Sequence, residues 1–250
     1  MTVPEGFVAL RAPGVRVVVR TDLAEAAGAW LLGTPLALPA GSTPLPGGRG
    51  AAWRITLPGG VRAVLRRNRR GGAVARFLNE TYVGFVERPF RELVVTTAAR
   101  QRGVATPEVL AARVEGRVAY RGALVTAEIP DALTLVDALR AAPDGGRRRT
   151  LAAAAGRVVA RMHRAGVWHA DLNLTNLLVT GAGAPDVTVL DFDRARLASG
   201  PLRQRARRKN LERLARSLRK LDPTGRLAAP EDVAAFHAAY AAVMEAPCAC

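Results

Sequence analysis

A chain of 250 residues, 49% of them apolar, has ample material for one large core or two modest ones, which excludes a disordered or fibrous protein. Basic residues outnumber acidic ones 37 to 21, and the resulting net charge of +16 concentrates anions near the surface without choosing among nucleotides, phosphorylated substrates, nucleic acid or an anionic membrane. Cys248 and Cys250 are the two cysteines, so a disulfide scaffold is excluded and reduced thiols are expected. No run of 18 apolar residues occurs, and Glu5 stands where a secretory leader would carry basic residues; a cytoplasmic protein is expected.

Taken in order, residues 36–72 read as strands and tight turns. AAWRITL (51–57) alternates as a strand, PGG (58–60) is a hairpin turn, and VRAVLRR (61–67) is a second strand. Residues 89–102 read as a helix. Pro89 suits its first turn, Phe90, Leu93, Val94 and Thr97 share a face, and Gly103 stops it. Strands are expected near Val109–Val114 and Val118–Val125, followed by a linker, TAEIPD (126–131). Helices dominate afterwards: 149–165, ended by Gly166, then 202–221 and 231–245. Between them DVTVLDFD contains a short strand running into acidic residues. No internal repeat or low-complexity tract is visible.

The sharpest pattern is HADLNLTN, residues 169–176, followed fifteen residues after Asn176 by Asp191 in VLDFD. The spacing resembles the phosphoryl-transfer layout of the protein-kinase-like superfamily, H-R-D-x-x-x-x-N followed by D-F-G. A hydroxyl attacking a γ-phosphate must be oriented in line and needs a proton acceptor, which makes Asp171 the candidate base. The triphosphate of ATP is held through Mg²⁺, a hard cation that takes oxygen ligands; Asn176 offers a neutral oxygen and Asp191 an anionic one. His169 would brace the loop. His163 and His237 lack partner motifs and are expected to be packed rather than catalytic.

The first half must supply a phosphate cradle and a cation. Gly48 and Gly50 in GGRGAAW have G-x-G spacing ahead of a strand, with Trp53 where a third glycine would stand; a plain turn explains the same residues. Kinases place a Lys on the third strand, paired with a Glu on the next helix. Both lysines here, Lys209 and Lys220, lie near the C-terminus, so an Arg must serve. AVLR (63–66) nominates Arg66 and FRELVV nominates Glu92, although Arg67, Arg69 and Arg70 crowd the same turn. Residues contacting adenine are expected near Glu128–Pro130.

After Asp191 no activation segment or A-P-E anchor is readable, and Asp193 replaces the Gly of D-F-G. Both departures favour a small-molecule or lipid-linked acceptor over a protein. Together GRG (48–50), VLRRNRRGGAVARFL (64–78), RPFREL (88–93), HADLNLTNLLV (169–179), LDFDRAR (190–196) and NLERLARSLRK (210–220) resemble the 3-deoxy-D-manno-octulosonic acid (Kdo) kinases, in the lipopolysaccharide kinase branch of the kinase-like fold. The resemblance spans roughly residues 45–220. It implies an α+β, protein-kinase-like fold of two lobes, a β-rich N-lobe over 1–128 and a shortened helical C-lobe over 129–250. It implies transfer of the ATP γ-phosphate to a hydroxyl of the Kdo sugar on a lipid A precursor, at the cytoplasmic face of the inner membrane of a Gram-negative bacterium. By the same resemblance Asp171 is the base and Asn176 and Asp191 hold metal.

Residues 202–221 carry nine basic residues and one acidic, Glu212, with Leu211, Leu214, Leu218 and Leu221 on one face. Such a helix either packs its leucines or lies on an anionic membrane. No nucleic-acid partner is expected, because aromatic residues, 5% of the chain, are not interleaved with the arginine clusters; no protein partner is expected either. A kinase of another small alcohol or sugar, a basic nucleic-acid-binding protein and a catalytically dead pseudokinase remain the alternative readings.

Overall fold

The computed structural model describes residues 3–45, 52–67, 82–83, 87–117, 119–181 and 183–246. Gly48, Gly50, Arg69, Arg70 and the two cysteines lie outside the described residues. The chain divides into two compact units, residues 1–97 with 107–128, and residues 98–106 with 129–250.

The first unit is built on an antiparallel sheet. Its strands are β1 (Phe7–Ala12), β2 (Val15–Arg20), β3 (Thr43–Pro44), β4 (Ala52–Thr56), β5 (Arg62–Arg67), β6 (Tyr82–Val83), β7 (Val109–Gly116) and β8 (Ala119–Ala127). The order is β1-β2-β7-β8-β5-β4-β3, with β6 also pairing with β8. Helix α1 (Ala24–Leu32) covers one face and α2 (Arg88–Gln101) contributes to the core on the other. Strand alternation assigns the side chains. Val15, Val17, Val19, Ala63, Leu65, Ala123 and Val125 join Ala27 and Leu31 in one cluster, while Val18, Ala112, Val114 and Leu124 join Phe90 and Leu93 in the other. Leu110 is the extra residue of a bulge between Val109 and Ala111.

The β1–β2 hairpin and α1 have no counterpart in the sequence reading. With both faces of β2 covered, its sequence VRVVVR shows no clean alternation. On α2 the expected face is rotated. Val94 is exposed, and the buried stripe runs through Phe90, Glu92, Leu93, Thr96 and Ala99. A charged Glu92 in that stripe could not be assigned inward from hydropathy alone.

In the second unit, β9 (Leu133–Thr134) precedes α3 (Leu135–Arg140) and α4 (Gly145–Arg164). There follow β10 (Val167–Trp168), β11 (Leu177–Thr180), β12 (Asp186–Val189), β13 (Arg196–Leu197), α5 (Gln204–Leu221) and α6 (Pro230–Glu245). Strands β12, β11 and β9 form one small antiparallel sheet, and β10 pairs with β13. Helix α4 starts four residues before the expected 149 because the Asp144 carboxylate caps it, accepting from the Arg147 N–H at 2.7 Å. Helices α4 and α6 pack closely at Gly156, where a Cβ would run into the carbonyl oxygen of Phe236. Residues 98–106 belong with this unit through specific bonds: the Arg102 guanidinium donates to the carbonyls of Ala165 (3.0 Å) and Ala198 (2.8 Å), and the Ala105 carbonyl accepts from the Val189 N–H (2.9 Å).

Candidate active site

Helix α4 is capped by Ala165 and stopped at Gly166, whose φ of 76° lies in the left-handed region that L side chains seldom adopt. The chain then turns through β10 into the motif loop. Asn173 organises the end of that loop. Its Oδ1 accepts from the N–H groups of Thr175 (2.9 Å) and Asn176 (3.0 Å) and from the Thr175 hydroxyl (2.7 Å), capping a 3₁₀ turn over Leu174–Asn176. The side-chain amides of Asn173 and Asn176 both donate to the carbonyl of Asp171, at 3.1 and 2.9 Å. The backbone of Asp171 is therefore fixed twice, while its carboxylate keeps 57% of its surface exposed.

His169 is wholly buried. Its Nδ1 accepts from the Asp171 N–H at 3.1 Å, which leaves Nε2 to donate to the Leu190 carbonyl at 2.8 Å. The ring meets Phe192 edge-on at 5.3 Å between centroids. Burial pushes its pKa down; the Leu190 carbonyl, Asp191 and Asp171 oppose this, and Arg213 adds to it. A neutral imidazole brace is what the loop requires.

Strands β11 and β12 form the hairpin that separates the two remaining motif residues in sequence. Leu177 pairs with Val189, and the Leu190 N–H donates to the Asn176 carbonyl at 2.8 Å, so the open end of the hairpin brings Asp191 back to Asn176. Asp191 has φ 62°, a left-handed conformation that costs a non-glycine residue about 1 kcal/mol or more and gathers at functional sites. The Asn176 amide nitrogen is engaged on the loop, which leaves Oδ1 as the end available to a cation. The Asp191 carboxylate, whose Oδ1 accepts weakly from the Asp193 N–H at 3.4 Å, is the anionic oxygen group at the same hairpin end, the kind of ligand a hard ion takes.

Helix α5 supplies an inward face that sequence reading did not assign to the site. Asn210, fully buried, accepts from the His169 N–H (3.1 Å), donates to the His169 carbonyl (2.6 Å) and lies 3.3 Å from Nε2 of His163. Ser217 accepts from the Leu174 N–H at 3.3 Å, and the Arg213 guanidinium sits 3.8 Å from the Asp171 carboxylate. Positions 210, 213 and 217 share one helical face, and that periodicity was the available signal. His163 is packed as expected: it is buried, its Nδ1 is 2.8 Å from the Tyr240 hydroxyl, and burial pushes its pKa down to about 4. His237 departs from expectation. It is exposed on α6, edge-on to Phe236.

In the first unit, strand alternation settles which arginine faces α2. Ala63 and Leu65 are buried on the α1 side, so Arg66 points to the opposite face and pairs with Glu92, whose side chain is 2% exposed. Arg67 turns the other way, donating to the Leu36 carbonyl at 2.6 Å with its guanidinium 5.1 Å from the centre of the Trp53 ring. The Glu128 carboxylate is engaged by Arg54 and, at 3.6 Å, by Arg62.

Among solved structures, WaaP in complex with acyl carrier protein superposes with a TM-score of 0.58 at 22% identity, covering 91% of this chain and 89% of that one. Amicoumacin kinase hAmiN in complex with AMP-PNP, Ca²⁺ and Ami gives 0.57 at 12% identity, covering 84% and 74%. Both likenesses show a protein-kinase-like fold. The 3-deoxy-D-manno-octulosonic acid kinase of Xanthomonas euvesicatoria pv. vesicatoria (strain 85-10) is 37% identical over 199 residues, covering 78% of this chain and 76% of that protein. The lipopolysaccharide kinase (Kdo/WaaP) family model matches residues 45–240, and with that span and that identity the chain belongs to this family of phosphotransferases.

Proposed function

We propose that this protein transfers the γ-phosphate of ATP to a hydroxyl of the Kdo sugar on a lipid A precursor, with Asp171 as the base and Asn176 and Asp191 as ligands of Mg²⁺. One observation carries the assignment of roles. The Asp171 backbone is pinned by two amides and by His169, while its carboxylate is largely exposed, beside a hairpin end whose backbone returns Asp191 to Asn176. Asp171 accepts the acceptor hydroxyl's proton as the new O–P bond forms and the bond to the ADP oxygen breaks. When bound, Mg²⁺ neutralises charge on the phosphates and links them to the protein. Asn176 and Asp191 hold that ion, His169 keeps the loop from shifting, and Arg66, oriented by Glu92, holds phosphate oxygens. Gly48 and Gly50 complete the phosphate cradle in this reading.

The acceptor reading rests on family membership and on the named Kdo kinases among the relatives. The test is phosphate incorporation into a Kdo-bearing lipid A precursor, followed by mass spectrometry with purified protein, ATP and Mg²⁺. Asp171→Ala should lower kcat at least ~100-fold with an unchanged unfolding midpoint. Unchanged turnover in that variant removes Asp171 from the role.

Among the described residues no helix is long and apolar enough to cross a membrane. A peripheral position at the cytoplasmic face of the inner membrane is supported by α5. Leu214 is buried and Leu211, Leu218 and Leu221 are half-buried, so the leucine face packs inward, while Arg205, Arg208, Lys209, Arg216, Arg219 and Lys220 remain exposed on the other. Each basic residue near an anionic surface contributes about 1 kcal/mol. Co-sedimentation with phosphatidylglycerol vesicles, lost in high salt, tests it.

A further inference from the structure

Three side chains of α5 face the motif loop, and two are committed to it. Asn210 holds both backbone groups of His169, and Ser217 holds the Leu174 N–H. Arg213 lies between them and is used differently. Its Nη1 is 3.8 Å from Oδ1 of Asp171, inside Coulombic range and beyond hydrogen-bond range. Its Nε is buried and makes no hydrogen bond among the described residues. The side chain as a whole is 38% exposed, so the guanidinium stands beside the open carboxylate of Asp171 and within reach of solvent.

A residue serving only to brace Asp171 would close that gap, as Asn210 does with His169. An anionic acceptor, by contrast, approaches a site that already carries Asp171 and Asp191 and is repelled by both. A fixed cation next to the base offsets that repulsion, and an arginine fork matches a planar carboxylate in two-point geometry. We propose that Arg213 binds an oxyanion of the acceptor, the carboxylate of the Kdo sugar, and so selects an acidic sugar for the site beside Asp171. This rests on the acceptor reading above. Phosphates of the lipid offer the same chemistry and are separated from the carboxylate by the test.

The test uses the full chain as wild type, Arg213→Gln and Arg213→Lys, with unfolding midpoints measured first. Steady-state kinetics are run against ATP and three acceptors: the Kdo-bearing lipid A precursor, the same lipid with the Kdo carboxyl as its methyl ester, and the same lipid without its phosphates. Wild type should show an acceptor KM at least ~10-fold higher for the ester and little change without lipid phosphates. Arg213→Gln should raise the KM for the acidic acceptor at least ~10-fold, leave kcat and the KM for ATP within about threefold, and handle acid and ester alike. Arg213→Lys should recover part of the loss. Wild type treating acid and ester equally overturns the proposal, as does a fall in kcat at constant acceptor KM, a rise in the KM for ATP, or dependence on lipid phosphate instead of carboxylate. Absence of wild-type turnover on any Kdo lipid overturns the acceptor reading and this role with it, whereas turnover with an unchanged KM in Arg213→Gln overturns this role alone.

Discussion

Each unit holds one charged side chain of the proposed site in place, and the two do so by different means. In the first, the period of a β-strand suffices. Ala63 and Leu65 are buried on one face of β5, so Arg66 emerges on the other, where it meets Glu92 of α2. In the second, Asp171 sits on a loop with no regular repeat to orient it. Asn173 and Asn176 tie the loop to itself, and His169 is gripped by Asn210, 41 residues downstream on α5. A side chain placed by strand register depends on its partner's charge, whereas one placed by a loop depends on a web of neutral hydrogen bonds. The two should fail in different ways when cut.

The largest effect is expected at the ion pair. Arg66→Ala leaves a carboxylate that is 2% exposed without that arginine. Because Arg66 itself is about one-third exposed, the loss should be about 2–4 kcal/mol in urea unfolding, below the full value for a deeply buried pair. The KM for ATP should rise at least ~10-fold. Adding Glu92→Gln removes the buried charge that Arg66 opposed and should return most of the stability but none of the ATP affinity. If the double variant regains both, the pair is structural only.

Cutting the web should cost less stability and act on turnover instead. Asn210→Ala leaves the buried N–H and carbonyl of His169 unmatched, a loss of about 1–3 kcal/mol. With the loop loosened, kcat should fall roughly 10-fold while the KM for ATP holds. An unchanged kcat in a destabilised Asn210→Ala protein would mean that Asp171 is placed by its own loop alone.

The same contrast explains what was legible in the sequence. Strands β4, β5, β7 and β8 show alternation or turn residues at their ends, and the spacing of Asp171, Asn176 and Asp191 pointed to one loop and one returning strand, which the β11–β12 hairpin provides. Arg66 was nominated by its strand but could not be separated from Arg67, because that choice depends on which face of β5 carries α2. Strand β2 and helix α1 were not legible: the valines of β2 are buried on both faces, and α1 has no side-chain cap to mark its start. Asn210 and Arg213 lay within a stretch that resembled the family, yet their part in the site needs α5 to be folded against the loop.

The smallest predicted effect tests whether the web must stay neutral. His163 touches Tyr240 and Asn210, and burial holds its pKa at about 4. The unfolded chain binds a proton there near pH 6.5, while the folded protein does not until about pH 4. Stability is therefore complete above pH 6.5 and falls as the pH drops toward 4, by roughly 1–1.5 kcal/mol at about pH 5.5. His169, also held below its usual pKa by burial, acts in the same direction. Carboxylates such as Asp22 and Asp222 are held below their ordinary value, so their contribution is lost only at lower pH and leaves this window to the histidines. In His163→Gln, urea unfolding across pH 7 to 5 should have a shallower slope, short by up to one proton taken up on unfolding. His169, lowered in the same direction, contributes to the slope that remains. Equal slopes in the two proteins would mean that His163 carries its charge inside the fold, with Nε2–H donating to Oδ1 of Asn210 and Nδ1–H to the Tyr240 hydroxyl.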